Sequence, residues 1–244
     1  FGTGAVSTSS ITDATPASFM AHVSKRICEG PETILGGEKY GLPFEGCYDD
    51  AKGNGGPGSI AEQILTSPVD VALGGGLLYF LEHLPDGQTS LLNTAEQHNA
   101  AVITEPEKLL SPIPAEKRLI GLFAEEHLPV RWQGEDGRKA ESPDPSWLNA
   151  LDWRLGSVEQ PAVMSCESNP EYGNTPSLAT LTQVAIERLT ATSQKGFFLI
   201  IESASIEKQS HERNPCGSIG EIATSDSFVE KSRTGAGASS GCLG

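Results

Sequence analysis

Residues 197–221 read FFLIIESASIEKQSHERNPCGSIGE. The run from Phe197 to Ile201 is apolar and short, the pattern of a buried strand, and it ends in a carboxylate, Glu202. Glu207, Lys208 and His211 follow, with Glu207 and His211 four positions apart. On a helix that spacing puts both side chains on one face, where they can grip one metal ion. A carboxylate at a strand's end, followed by a carboxylate–imidazole pair, is a metal site in outline.

Upstream, strand and helix patterns alternate. Residues 3–8, 69–73, 99–105 and 118–124 read as strands. Thr15 as an N-cap with Pro16 at the first helical position predicts a helix to about Lys25, with Arg26 at its C-terminal end. Ser59 and Glu62 form a capping box for a second helix. Thr175-Pro176 opens a third, SLATLTQVAIERLTA, with apolar residues at helical spacing. Gly74-Gly75-Gly76 lacks a phosphate-loop pattern and reads as a sharp strand-to-loop turn. Residues 29–58 read as a long surface excursion and 133–160 as an insertion or edge loop. This order predicts an α/β fold with a central, largely parallel sheet flanked by helices. Ligands of such sheets bind beyond the carboxyl ends of the strands, and Asp13, Thr15 and Glu202 each sit just past such an end. From about residue 222 the chain turns small, polar and Gly-rich, the composition of a disordered or truncated tail.

The 244 residues suffice for one large domain or two small ones, and no apolar run approaches membrane-spanning length. The net charge of −15 argues against nucleic acid as a partner. The opening FGTGAVSTSS reads as the middle of a strand with no secretory leader, which suggests a piece of a longer protein. Five cysteines (Cys28, Cys47, Cys166, Cys216 and Cys242) include no CxxC pair. Two loop-closing disulfides in an oxidising compartment fit them, with the connectivity open and one cysteine left over.

Taken singly, the polar residues have ordinary explanations: Asp13 and Thr15 as a cap, Arg26 and Lys208 as surface cations, Glu207 and His211 as a surface pair. Glu202 is harder to dismiss, because a carboxylate ending an apolar strand is partly buried and needs a partner. His22, His83 and His127 show no ligand spacing. Together, the hard oxygens of Asp13, Thr15 and Glu202 suit Mg²⁺. Glu207 and His211 suit Zn²⁺, and Arg26 offers a fork for phosphate. The combination reads as metal-assisted phosphoryl transfer.

The stretches DATPASFMAHVSKRIC, DVALGGG, GLFAEEHLPVRW, AIERL and KGFFLIIESASIEKQSHERNPCGSIGE resemble the bacterial alkaline phosphatase family. The resemblance covers most of residues 1–221 and implies that family's α/β sandwich in a periplasmic or secreted homodimer. It also implies hydrolysis of small phosphate monoesters through a phosphoserine, with two Zn²⁺ and one Mg²⁺. By motif, Asp13 resembles the carboxylate near magnesium's water shell, Thr15 and Glu202 magnesium ligands, and Arg26 the phosphate clamp. Glu207 and His211 resemble ligands of the first zinc, and Lys208 a residue near the phosphate. The cysteine pairs implied are Cys28–Cys47 and Cys166–Cys216. Glu207 stands where the family has Asp, and Ser203 where it has Gly. The family's nucleophile lies in an Asp-Ser-Ala motif that this chain lacks. Ser225-Asp226-Ser227 comes after the metal motif, in the wrong order for that role. The family's later Asp-His pair and last histidine are also missing. The expectation is an internal fragment of an alkaline phosphatase, inactive by itself. The alternative is a non-catalytic relative that keeps the metal and phosphate groups. A sulfatase or phosphodiesterase fits the Asp13, Thr15 and Arg26 trio less well.

Overall fold

The structure, a computed structural model, describes residues 1–39 and 41–223. The tail from 224 onward, with Ser225-Asp226-Ser227 and Cys242, lies outside the described residues. The described chain divides into two compact units, one comprising residues 1–129 and 174–204, the other 130–173 and 205–223.

The first unit is built on five parallel strands: β1 (Gly2–Ser10), β2 (Val71–Gly75), β3 (Ala100–Ile103), β4 (Arg118–Leu122) and β5 (Phe197–Glu202). They lie in the order β5-β1-β2-β4-β3. Neighbouring residues on a strand point to opposite faces, and here both faces are covered. Ala72, Ile120 and Leu122 join one apolar cluster with Ile60, Ile64, Leu65 and Phe80. Val71, Leu73 and Leu119 join another with Leu178, Leu181, Ala185 and Leu189. The first cluster draws on helices α2 (Ile60–Thr66) and α3 (Leu77–Leu81), the second on α4 (Leu178–Thr192). The capping box of α2 is formed as the sequence predicts. In α4 the cap is Ser177, directly after Thr175-Pro176, and its hydroxyl accepts the Thr180 N–H.

Helix α1 is the main departure. It is one turn, Ala14–Ala17, capped by Asp13 and not by Thr15. The helix predicted to Lys25 does not continue: the N–H groups of residues 18–21 close back onto α1, and beyond them side chains from elsewhere take the backbone. The His22 N–H donates to Gln63 Oε1 at 2.8 Å and the Ser24 N–H to Asp50 Oδ2 at 2.7 Å. Gly74 and Gly75 also differ from expectation, because they are the last residues of β2. The turn belongs to Gly76 alone, at φ +101°, where a Cβ would lie 2.2 Å from Ser10 Oγ. Residues 29–58 hold an antiparallel hairpin, Gly36–Lys39 with Leu42–Glu45, and Cys28 is bonded to Cys47.

One half-buried cation holds several elements of this unit together. Arg118, at the start of β4, donates to the carbonyls of Ile64 at 3.3 Å, Ser67 at 2.7 Å and His98 at 3.0 Å, and also to that of Leu65. Three of these acceptors belong to the C-terminal end of α2, where the last carbonyls have no helical partner. Replacing Arg118 with Met keeps the stem and takes the charged donor away from all four carbonyls, of which Ile64 keeps the Ser67 N–H and hydroxyl. The expected loss is about 3 kcal/mol of stability, the scale of hydrogen bonds to a charged group. A urea midpoint unchanged in Arg118→Met would refute this.

The second unit carries short antiparallel pairs, Trp132–Gly134 with Cys166–Ser168 and Asp144–Pro145 with Val158–Glu159. Helix α5 (Ser205–His211) follows, then helical residues 215–223. Cys166 is bonded to Cys216, which joins the two stretches of this unit. Both disulfides implied by the resemblance are therefore present.

Candidate functional site

The β1 strand sets up the first half of the site. Its backbone ends at Ser10, and the next four residues turn into α1, so Asp13 and Thr15 stand beyond the carboxyl end of the sheet. The Asp13 carboxylate accepts the Ala14 N–H at 2.8 Å and also pairs with the Arg26 guanidinium. Asp13 is shielded, with 15% of its side chain exposed, whereas Arg26 is 69% exposed. The carboxylate thus anchors a guanidinium whose remaining donors face solvent, a suitable arrangement for taking an anion. Thr15 is exposed on the same turn.

The segment carrying Arg26 is tied down on both sides. Asp50 accepts the Ser24 N–H and hydroxyl, each at 2.7 Å, and these bonds hold its carboxyl below the usual range. That stabilisation is present above the unfolded-state pKa and is lost as pH falls through the lower folded value. Two residues after Arg26 comes the Cys28–Cys47 bond.

Glu202 ends β5 beside β1, in register with Ser7. It is half-buried, and the partner that its position demands is the Ser7 hydroxyl, 2.7 Å from Oε2. The Ser7 and Ser9 hydroxyls lie 2.8 Å apart, so a row of hydroxyls leads away from the carboxylate. Ser203 Oγ, next in sequence, is buried and has no hydrogen-bond partner. An orphaned buried oxygen beside a carboxylate is a donor set that a hard cation satisfies. Helix α1 packs against both β1 and β5, which keeps Asp13, Thr15 and Glu202 at one edge of the sheet.

In the second unit, α5 brings Glu207 and His211 together as the four-residue spacing predicts. Glu207 Oε1 and His211 Nε2 lie 2.6 Å apart, and both side chains are exposed. The two atoms hydrogen-bond to each other, and once that bond opens they are two of the four donors that tetrahedral zinc takes. Lys208 is half-buried on the same helix. Among the described residues, no three His, Cys, Asp or Glu side chains converge as a metal cage. The pairs Asp13–Arg26 and Glu207–His211 are formed; a closed cluster is not.

Sequence reading missed three groups. Ser7 has no signal in a strand of small polar residues. His127, given no role, accepts the Ser10 N–H at Nδ1, 3.1 Å away. Glu29 is buried at 5% exposure in a loop that reads as surface. The apolar groove of 190 Å³ lined by Phe19, Met20, Val69 and Phe198 takes in Thr3 and Gly4, at the other end of β1 from Asp13, and contains none of these groups.

Similarity to known proteins agrees with the motifs. The alkaline phosphatase family model matches residues 1–238. The chain is 38% identical over 235 residues to the alkaline phosphatase of Escherichia coli K12 and 40% identical to alkaline phosphatase H of Pseudomonas aeruginosa. Each alignment covers 94% of this chain and 44% of the relative. Streptomycin-6-phosphate phosphatase of Streptomyces griseus is 34% identical, with 94% and 47% covered. The chain thus spans less than half the length of these curated relatives. Among solved structures, alkaline phosphatase from the Antarctic bacterium TAB5 superimposes with a TM-score of 0.57 at 22% identity, over 97% of this chain and 49% of that one. This likeness supports the fold. The 244-residue chain belongs to the alkaline phosphatase family.

Proposed function

We propose that this chain supplies the phosphate-binding and part of the metal-binding machinery of a metal-dependent phosphate monoester hydrolase. The observation that carries the reading is the Asp13–Arg26 pair just past the end of β1, with the guanidinium open to solvent. Arg26 binds two phosphoryl oxygens through its fork, and Asp13 holds the guanidinium in place. Thr15 and Glu202, with Ser7 steadying the carboxylate, provide hard oxygens for Mg²⁺ near the same edge. Glu207 and His211 provide donors for Zn²⁺, and Lys208, on the same helix, is the cation that the family resemblance assigns to the phosphate. Bound divalent metals supply Lewis-acid stabilisation of phosphoryl oxygens and of the attacking oxygen. No Asp-Ser-Ala triplet occurs in the sequence, so the work assigned to these residues is binding and orientation, not the covalent step.

The substrate class is small phosphate monoesters, in keeping with the names of the relatives. The two disulfides suit an oxidising, periplasmic or secreted setting, and a homodimer is the assembly carried over from the family. No described helix is long and apolar enough to cross a membrane.

The expected result with the purified chain is retention of Mg²⁺ and Zn²⁺ on dialysis, with aryl phosphate hydrolysis at background. Glu207 is one methylene longer than the family's Asp, and metal–ligand distances tolerate only about ±0.2 Å. Glu207→Asp should therefore tighten zinc retention about tenfold, within the range that perturbing a metal's ligand shell produces. Robust turnover by the chain alone, or zinc retention indifferent to loss of His211, would overturn the reading.

A further inference from the structure

Glu29 is a buried carboxylate that no part of the proposed site uses. Oε2 accepts the Thr12 hydroxyl at 2.5 Å, and Oε1 pairs with Lys39 Nζ at 2.5 Å. Thr12 Oγ1 is also 2.5 Å from Ser10 Oγ. Lys39 donates to Tyr79 Oη at 3.0 Å, which carries the network onto α3. Burial works against the Lys39 charge, yet its bonds to Glu29 and Tyr79 outweigh it and raise its pKa above the usual lysine value.

The order of these residues along the chain matters. Thr12 immediately precedes Asp13, and Glu29 comes three residues after Arg26. The stretch from 12 to 29 is therefore stitched shut twice, at Asp13–Arg26 and at Thr12–Glu29. The Glu29 carbonyl also accepts the Ala61 N–H at 2.8 Å, which fixes that end of the stretch to α2. An ion pair of this kind adds little net stability compared with apolar side chains of the same volume. What it supplies is a fixed position for the backbone on either side of the guanidinium.

We infer that Glu29 is a positioning residue: its carboxylate, held by Thr12 and Lys39, fixes where the Asp13–Arg26 pair aims and so sets phosphate affinity without touching phosphate. The inference rests on the proposed role of Arg26.

The test uses the full 244-residue chain, inorganic phosphate as the probe with Mg²⁺ and Zn²⁺ present, and the Arg26 Nε–H signal by NMR as a readout independent of phosphate. Glu29→Gln is expected to weaken phosphate binding about tenfold and to loosen the Arg26 signal. The affinity loss should vanish in an Arg26→Ala background, because the effect acts through that side chain. If Glu29→Gln fails to fold, the double replacement Glu29→Met with Lys39→Met removes both charges together and is expected to fold. It should show the same two changes. An Arg26 signal unchanged in the folded variants overturns the inference whatever phosphate does. An equal affinity loss with Arg26 absent overturns it too, since that marks a general structural effect. If the wild-type chain binds no phosphate while the Arg26 signal still loosens, the proposed function falls and the positioning role stands.

Discussion

Breaking the Cys166–Cys216 bond is expected to unfold residues 130–173 and 205–223 while the five-stranded sheet stays folded. The bond closes a loop across a sequence separation of 50, which corresponds to roughly 4 kcal/mol of loop-closure entropy removed from the unfolded chain. The second unit has little else of comparable size. All three apolar clusters found among the described residues belong to the first unit. In the second unit the stretches are also joined by the exposed Lys139–Glu212 pair, by an Ala140 N–H to Arg213 carbonyl bond and by a backbone hydrogen bond from Arg131 to the buried Glu221 carboxylate. An exposed ion pair is worth less than about 1 kcal/mol. The paired Cys166→Ser and Cys216→Ser replacement should therefore abolish amide-exchange protection in α5. Protection in β1, β2 and β4, buried on both faces, should persist. Undiminished protection of α5 in the serine variant would show that other contacts hold the unit. The consequence for function is direct, because α5 carries Glu207, Lys208 and His211. On the proposed reading, the serine variant is expected to lose zinc together with α5 protection.

Arg26→Ala is expected to weaken phosphate binding about a hundredfold and to leave stability almost unchanged. Two charge-assisted bonds to phosphate are lost, and a factor near one hundred is their usual scale. Arg26 is largely exposed, and its visible structural partner, Asp13, keeps the Ala14 N–H when the guanidinium is removed. The urea midpoint should then shift by less than the equivalent of about 0.5 kcal/mol, as for surface substitutions generally. Arg26→Lys should restore only part of the affinity, because an ammonium keeps the charge and loses the planar fork. Full affinity in Arg26→Ala would remove the clamp from the account.

The sequence discloses local physics well here. The Ser59–Glu62 cap, the α4 stripe and the Glu207–His211 pair all rest on residues within a few positions of each other, and all are formed. The central strands are legible because a strand buried on both faces shows an unbroken apolar or small-residue run. Interactions between distant residues are not legible. The path of the backbone after α1 is held by Gln63 and Asp50, which bond it at His22 and Ser24. Glu202 announces that it needs a partner, but nothing in the sequence names Ser7, 195 positions away. Glu29 lies in a Gly- and Pro-rich stretch that reads as surface, and only the folded hairpin brings Lys39 to it. Local pattern thus points to the candidate site residues, and the tertiary fold supplies the neighbours that hold them in place.

The most direct test of the account is titration of inorganic phosphate into the oxidised wild-type chain, with Mg²⁺ and Zn²⁺ and again with EDTA. The expected result is saturable, weak binding that requires the metals and is weakened about a hundredfold in Arg26→Ala. No binding with both metals present, or binding of equal strength in EDTA, would contradict it.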